Sequence, residues 1–334
     1  MFSKKIAVDL GTANSIVYVS GKGIIINEPT VVAVSVSTNE VIAVGNAAKE
    51  MIGRTPEGIS PFRPLKDGVI ADYTVTEAML KYFLNKALGR IRFLGPTVLI
   101  AVPAGVSSVE SRAVIESALG AGAKTAYLMP EPLAASIGAG LPISAASGNM
   151  IVNSGGGTTE IAIVSLGGLV VHGSVRVAGN KIDEAIASYV RRKYGLIIGD
   201  KTAEQLKIKV ASALPFEKEI KAEVKGRDFV AGLPKTLIIS STEITEAIEP
   251  TLKQIAQAVK EVLGRTPPEL SADVLDKGIV MSGGTALLRN FDKYLTKVTG
   301  IPSHVADDPL FCVIKGLGTA VENLEVFEKA LIVK

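Results

Sequence analysis

The chain has 334 residues, of which 47% are hydrophobic, so it is long enough for about two domains and apolar enough to bury a sizeable core. Its 36 Lys and Arg residues nearly balance its 33 Asp and Glu residues, and the resulting net charge of +3 argues against a dedicated nucleic-acid-binding protein. One cysteine and two histidines exclude an internal disulfide framework and a multi-cysteine metal site, and they disfavour a histidine-based metal centre.

Short apolar runs rich in β-branched residues alternate with helical patterns, as is typical of an α/β protein. Strands are predicted at residues 6–8, 16–19, 31–36, 98–102, 150–152, 161–164, 169–171 and 278–281. Helices are predicted after Tyr73, where Thr74 and Glu77 have the spacing of a capping box, and over residues 251–263. The chain enters its first strand without an apolar leader, and no run is long enough to span a membrane, so we expect a cytoplasmic protein.

Two strand–turn–strand segments have similar polar, glycine-containing turns, which suggests an internal duplication. The first turn is at residues 9–12 and the second at residues 153–159, and a third glycine-rich turn follows at residues 282–285. Glycine lets backbone N–H groups approach phosphate oxygens, threonine adds hydroxyl donors, and an aspartate such as Asp9 can hold Mg²⁺ through its water shell. Two such turns at one cleft could clamp a triphosphate, although two ordinary hairpins remain the plain alternative. The Walker and Rossmann phosphate patterns are both absent.

The three turns resemble the motifs of the actin, heat-shock chaperone and sugar kinase superfamily. Residues 9–14 match its first phosphate motif, residues 155–160 its second, and residues 282–285 its adenosine motif. Within that superfamily the chain resembles the bacterial MreB family of actin-like cell-shape proteins, because further stretches match that family in order along nearly the whole chain. These stretches are residues 27–30, 63–72, 102–106, 131–135, 232–236 and 306–310.

The resemblance implies an α/β, actin-like two-lobed ATPase fold, made of duplicated ribonuclease-H-like domains with a nucleotide cleft between the lobes. The implied subdomains are IA (residues 1–28 and 70–142), IB (29–69), IIA (143–180 and 242–334) and IIB (181–241). The implied cofactors are ATP or ADP and Mg²⁺, with Asp9 holding the metal through water. The residues implied to contact the cofactors are Asp9, Gly11, Thr12, Ala13, Asn14, Gly155, Gly156, Gly157, Thr158, Thr159, Glu204, Lys207, Gly283 and Gly284.

Glu204 and Lys207 would reach the ribose, since residues three apart share a helix face. A solvated surface ion pair is the alternative for these two residues. Glu131 directly precedes Pro132 and matches the superfamily's water-positioning carboxylate. The implied catalytic set is Glu131, Asp9, Thr158 and the altered position Asn153.

Asn153 stands where the family's second motif normally begins with Asp, and Pro130 stands where the family usually has Glu. An amide cannot carry the negative charge that orders the water shell of magnesium, nor accept a proton from attacking water. We therefore expect an ATP-binding protein with slow hydrolysis. Two alternatives stay open: that Asp9 and Glu131 suffice for hydrolysis, and that the chain is a non-hydrolysing filament protein that uses its nucleotide structurally.

Phe93 and Leu94 lie beside Arg90 and Arg92, a combination that suits insertion at an anionic lipid interface. Burial of both apolar side chains in the core is the alternative. The resemblance implies homopolymeric, paired protofilaments at the inner face of the cell membrane, where they organise the cell-wall elongation proteins. A sugar kinase and a chaperone ATPase share the cleft, but we see neither a sugar-pocket signature nor a separate peptide-binding domain.

Overall fold

The computed structural model describes residues 4–89 and 95–332. The elements up to residue 138 are β1 (Lys5–Leu10), β2 (Asn14–Val19), β3 (Gly23–Pro29), β4 (Val32–Ser35), β5 (Val41–Val44), α1 (Asn46–Met51), β6 (Ile59–Phe62), β7 (Leu65–Lys66), β8 (Val69–Ile70), α2 (Tyr73–Leu88), β9 (Thr97–Val102), α3 (Ser108–Gly120), β10 (Thr125–Pro130) and α4 (Glu131–Gly138). The later strands and α-helices are β11 (Asn149–Ser154), β12 (Thr159–Ser165), β13 (Gly168–Val175), α5 (Gly179–Tyr194), β14 (Leu196–Ile197), α6 (Asp200–Val210), β15 (Lys221–Asp228), β16 (Pro234–Ser240), α7 (Ser241–Arg265), α8 (Pro268–Lys277), β17 (Ile279–Ser282), α9 (Phe291–Thr299), β18 (Ser303–Val305) and α10 (Cys312–Glu322). Short 3₁₀ helices lie at Gly284–Leu287, Pro309–Phe311 and Glu328–Ala330.

The first lobe is built on a five-stranded sheet with the order β10-β9-β1-β2-β3. Strand β1 pairs antiparallel with β2 and parallel with β9, and β9 pairs parallel with β10. Because parallel strands end at the same edge of a sheet, Asp9 near the end of β1 and Glu131 after β10 come to one edge. The small sheets β5-β4-β6 and β7-β8 complete this lobe.

The second lobe repeats the pattern with the order β13-β12-β11-β17-β18. Strand β11 pairs antiparallel with β12 and parallel with β17, which pairs parallel with β18. Asn153 in β11 and Ser282 in β17 are neighbours in this register and lie at the edge where the second glycine turn begins. The small sheet β14-β15-β16 belongs to this lobe.

Helices α4 and α10 pack against each other between the two sheets. A Cβ atom on Gly138 would overlap the carbonyl of Cys312, and one on Gly316 would overlap the carbonyl of Ala134, so the two helix backbones touch. One apolar core surrounds them and includes buried residues from both sheets, among them Ala7, Leu99, Met129, Ile151, Ala162 and Val280. The two lobes therefore share a core instead of being joined by a linker alone.

Most predicted elements are confirmed, with two differences at helix ends. All eight predicted strands overlap strands of the structure. The helix after Tyr73 forms, but the predicted capping box is wrong: Asp72 caps it by accepting a hydrogen bond from the Val75 N–H (2.9 Å). Helix α7 begins ten residues before the predicted position 251, because Ser240 and Glu243 form a capping box, and it continues through Pro250.

The proposed subdomain boundaries stay a prediction. Within the described residues, no helix combines the length and the apolar character needed to cross a membrane.

Candidate functional site

The first two glycine turns lie against each other, one from each lobe. A Cβ atom on Gly156 would lie 2.7 Å from the Ala13 Cβ, and one on Gly157 would lie 2.5 Å from Thr12 Oγ1. Both distances are shorter than side-chain atoms tolerate, so these two positions admit only glycine without movement of a neighbour. The sequence prediction that both turns line one cleft agrees with this arrangement.

The carbonyl groups of the first turn are held from behind by the first lobe. The Thr30 hydroxyl donates to the Gly11 carbonyl (2.6 Å), and Arg63 Nη1 donates to the carbonyls of Thr12 and Ala13 (3.1 Å each). The Gly68 N–H also donates to Thr12 Oγ1 (3.2 Å). Among the described residues, none accepts a hydrogen bond from the N–H of Thr12 or Ala13.

The second turn is held in the same way by helix α5 and by the third turn. The N–H groups of Gly179 and Asn180, at the start of α5, donate to the carbonyls of Gly155 (3.2 Å) and Gly156 (2.8 Å). The Thr285 hydroxyl donates to the Gly155 carbonyl as well (2.7 Å). With the carbonyls fixed, each turn can present N–H groups to a ligand, which is the arrangement that binds phosphate oxygens. The residues present therefore fit a nucleotide phosphate chain.

Three carboxyl groups surround the turns, and their surroundings disfavour their charged forms. Burial raises the pKa of Asp9 to about 7. Burial, followed by the charges of Glu160 and Asp9, raises the pKa of Glu131 well above its usual range. Burial also raises the pKa of Glu160, even though the Ser174 hydroxyl and the Ala104 N–H donate to it. The site thus carries more acidic groups than its surroundings neutralise, which favours a cation there.

Asp9 suits Mg²⁺ only in combination with other oxygen ligands. Within residues 4–89 and 95–332, no three His, Cys, Asp or Glu residues are arranged as a metal site. Mg²⁺ usually keeps several waters and is held by one or two carboxylates together with substrate phosphates. A single carboxylate beside two phosphate-type turns fits that donor set, and Mg²⁺ bound there would neutralise phosphate charge.

Asn153 and Glu131 meet at the floor of the cleft. The Ser282 hydroxyl donates to Asn153 Oδ1 (2.9 Å), and Asn153 Nδ2 donates to Glu131 Oε2 (3.4 Å). In this arrangement the amide oxygen of Asn153 faces Ser282 and its amide nitrogen faces Glu131. Pro130 is both the last residue of β10 and the N-cap of α4, so Glu131 begins that helix directly after the strand.

Glu204 and Lys207 do not pair with each other. Lys207 Nζ donates to Asp183 Oδ2 (2.9 Å) and to the Gly179 carbonyl (3.1 Å), which connects it to the helix end that holds the second turn. Glu204 instead pairs with Lys49 of the first lobe (3.6 Å). Each predicted ribose contact therefore has another partner, and neither residue forms the alternative pair considered from the sequence.

Gly283 and Gly284 lie beside the second turn, and their predicted contact with adenosine stays a prediction. Gly283 has a φ of 84°, and a Cβ atom there would overlap the backbone of Ser154. A Cβ on Gly284 would lie 3.2 Å from Leu310 Cδ2. The third turn is thus packed directly onto the hairpin of the second one.

The sequence analysis did not single out Asp183. Its carboxylate accepts a hydrogen bond from Lys207, which lies 24 residues further along the chain. Burial raises its pKa to about 6, although the charge of Lys207 lowers it. Its Oδ1 atom is buried and has no hydrogen-bond partner within the described residues. Little in the sequence indicates this burial, because Asp183 simply follows the buried Ile182 in an amphipathic helix. The predicted membrane residues Phe93 and Leu94 lie outside the described residues.

Comparisons with known proteins agree with this geometry. The family described as MreB/Mbl protein matches residues 3–329. The cell shape-determining protein Mbl of Bacillus cereus is 48% identical over 98% of this chain and 99% of its own. The cell shape-determining protein MreB of Escherichia coli is 49% identical over 98% of this chain and 95% of its own.

Two solved structures extend the likeness to three dimensions. MreB 5 of Spiroplasma citri bound to AMPPNP superimposes with a TM-score of 0.93 at 39% identity, over 98% of this chain and 99% of the other. The MamK double helical filament superimposes with a TM-score of 0.81 at 23% identity, over 96% and 99%, and shares the fold. The chain thus has the actin-like, two-lobed α/β fold.

Proposed function

This chain belongs to the MreB/Mbl family, and we propose that it is an ATP-binding, actin-like protein that polymerises into filaments and helps to determine cell shape. The observation that carries the proposal is the pair of facing glycine turns, whose carbonyls are hydrogen-bonded within the protein, while the N–H groups of Thr12 and Ala13 have no acceptor among the described residues. The names of the curated relatives, which describe cell shape determination, and the AMPPNP-bound structural neighbour support it.

The residues of the cleft would have separate roles in nucleotide binding and hydrolysis. The turns at residues 11–14 and 155–159 would hold the phosphates from opposite lobes, and Asp9 would hold Mg²⁺ through water. Glu131 would orient the attacking water and accept its proton, a role that its raised pKa suits. A nucleotide that contacts both lobes stabilises the closed arrangement more than an open one, and this coupling would favour assembly.

The filament proposal is tested by high-speed sedimentation and electron microscopy of the full chain with Mg-ATP, and ATP binding by equilibrium dialysis. We expect protein in the pellet, filaments on the grid and saturable ATP binding. Protein that stays in the supernatant at every concentration would contradict polymerisation. Absence of saturable binding would contradict the nucleotide site, so the two halves of the proposal can fail separately.

We propose further that hydrolysis is slow because Asn153 replaces a carboxylate. Phosphate release from Mg-ATP should rise about tenfold or more in Asn153→Asp, since an oriented carboxylate contributes about 10²–10⁴ in rate. Equal, rapid release by both proteins would mean that Asp9 and Glu131 suffice. Release by neither protein would favour the alternative, a filament protein whose nucleotide is structural only.

A location at the inner face of the cell membrane, with cell-wall elongation proteins as partners, is proposed from the sequence of residues 90–94 and from the family. Phe93 and Leu94, beside two arginines, would bind anionic lipid weakly in a single subunit. A filament would present many such contacts at once, which would strengthen its binding to the membrane. Co-sedimentation with vesicles containing phosphatidylglycerol should be lost in the Phe93→Ala, Leu94→Ala double variant. The control Val230→Ala removes an exposed apolar side chain elsewhere and should still bind; equal binding by all three proteins would refute the assignment.

A further inference from the structure

The side chain of Asn153 is bonded on both sides of the cleft. Its Oδ1 accepts from Ser282 (2.9 Å) in the neighbouring strand of its own sheet, and its Nδ2 donates to Glu131 (3.4 Å), the first residue after the last strand of the other sheet. Asn153 is only 5% exposed, so water competes little for either bond. The amide therefore links the two lobes at the floor of the cleft.

Two other contacts also join the lobes. The Ala104 N–H of the first lobe donates to Glu160 of the second (3.1 Å), and Lys49 pairs with Glu204 at the outer end. The exposed pair contributes little, because both side chains are more than a third accessible to water. The buried contacts at the floor are the ones that can decide whether the cleft stays closed.

The chemistry of the contact depends on the amide. An aspartate at this position would have nearly the same shape, but it would set an oxygen against the Glu131 carboxylate where Asn153 has a donor. Two facing acceptors need a shared proton or a cation between them, and Asp9 and Glu160 already make the site acidic. Asn153 removes that need, because it supplies the donor itself.

We propose that Asn153 is a clasp that keeps the two lobes closed without nucleotide or divalent cation. With the amide in place, we expect the unliganded chain to keep the lobes in contact without the help of a bound nucleotide. The proposal concerns the unliganded chain, and the outcomes that would overturn it are all measured without nucleotide. Its failure is therefore distinguishable from failure of the proposed function.

The test measures the distance between the lobes by pulsed electron paramagnetic resonance. Spin labels are attached through Glu57→Cys in the first lobe and Lys218→Cys in the second, both at exposed positions. The native Cys312 is fully buried and stays unlabelled. Without nucleotide and with a chelator, we expect one narrow distance that Mg-ATP leaves unchanged. In Asn153→Asp, we expect a longer or broader distribution under the same conditions, which becomes narrow when Mg-ATP is added.

Two further variants distinguish loss of the Asn153 contact from a general loss of stability. Asn149→Asp makes the same substitution in the same strand at a buried residue that donates to carbonyls of its own lobe, those of Ser147 and Val164. It should lower thermal stability but keep the narrow distance. The double variant Asn153→Asp with Glu131→Gln restores a donor from the opposite side, and should regain the narrow distance.

Several outcomes would overturn the clasp. The first is an unliganded Asn153→Asp chain that has the wild-type distance between the labels. The second is an Asn149→Asp chain whose distance increases as much as that of Asn153→Asp. The third is a double variant whose distance stays long or broad. If Asn153→Asp does not fold, as judged by circular dichroism, Asn153→Ala takes its place. That variant removes the donor without adding charge and should open the unliganded chain, while an unchanged distance would refute the proposal.

Discussion

The two facing glycine turns have similar sequences, but they need their glycines for different reasons. A Cβ on Gly11 would lie 2.6 Å from the carbonyl oxygen of Asn14, which belongs to the same hairpin. The corresponding Gly155 meets nothing closer than 3.6 Å, whereas Gly156 and Gly157 are confined by residues of the other lobe. The first turn is thus constrained by contacts within its own hairpin, and the second by its packing against the other lobe.

The turns also differ in charge at equivalent strand positions. Asp9 lies two residues before Gly11, and Asn153 lies two residues before Gly155. The carboxyl group of Asp9 has a pKa of about 7 because it is buried, whereas the amide of Asn153 does not titrate and is bonded to two side chains. A duplicated motif can therefore keep its backbone shape while only one copy remains sensitive to pH and cations.

The largest effect expected from this contrast is on folding. Gly11→Ala should lower the free energy of unfolding by about 3 kcal/mol, because the new methyl group meets backbone that cannot rotate away. The matched control Gly155→Ala should cost less than about 1 kcal/mol, since its methyl group makes an ordinary contact. Urea denaturation of both variants measures the difference. Equal losses would mean that the two turns are constrained alike.

The sequence predicted the strands and both turns well, because apolar runs and glycine clusters are local signals. Its capping box at Thr74 failed, because Asp72 is closer to the true helix start and is an equally good cap. The bond from Asn153 to Glu131 and the link from Lys207 to Asp183 join residues that are about twenty apart in the chain. Such contacts depend on how elements pack in space, and no local pattern encodes that packing.

The next effect concerns pH. The pKa of Asp9 is raised in the folded chain to about 7 from its ordinary 3.8, so between these values the folded chain binds the proton more tightly than the unfolded chain. The associated stability is present below about pH 4 and is lost as the pH rises through 7. The full shift corresponds to about 4 kcal/mol, and we expect about half, because burial raises the pKa but the Asp9 residue as a whole is only half-buried.

This pH effect is measured by urea denaturation between pH 4 and 8, without nucleotide and with a chelator. Asp9→Asn should remove about 2 kcal/mol of the pH dependence, because an amide does not titrate there. Asn149→Ala removes a buried amide elsewhere in the second lobe without introducing a titrating group, and should leave the pH dependence as it is. A slope that persists in Asp9→Asn would assign the dependence to Glu131 or Glu160 instead.

The smallest effect is on ligand affinity and concerns the glycine that faces the other lobe. The methyl group of Gly156→Ala would overlap the Ala13 Cβ, and the two turns would have to move apart by about 1 Å to relieve the contact. The free energy of unfolding should therefore change by less than about 1 kcal/mol, while the Kd for ATP rises about tenfold because the two turns no longer meet around it. Adding Ala13→Gly removes the atom that is hit and should restore most of the affinity in equilibrium dialysis. An unchanged Kd in Gly156→Ala, or a weak affinity that Ala13→Gly does not repair, would mean that the spacing of the lobes at this contact does not control nucleotide binding.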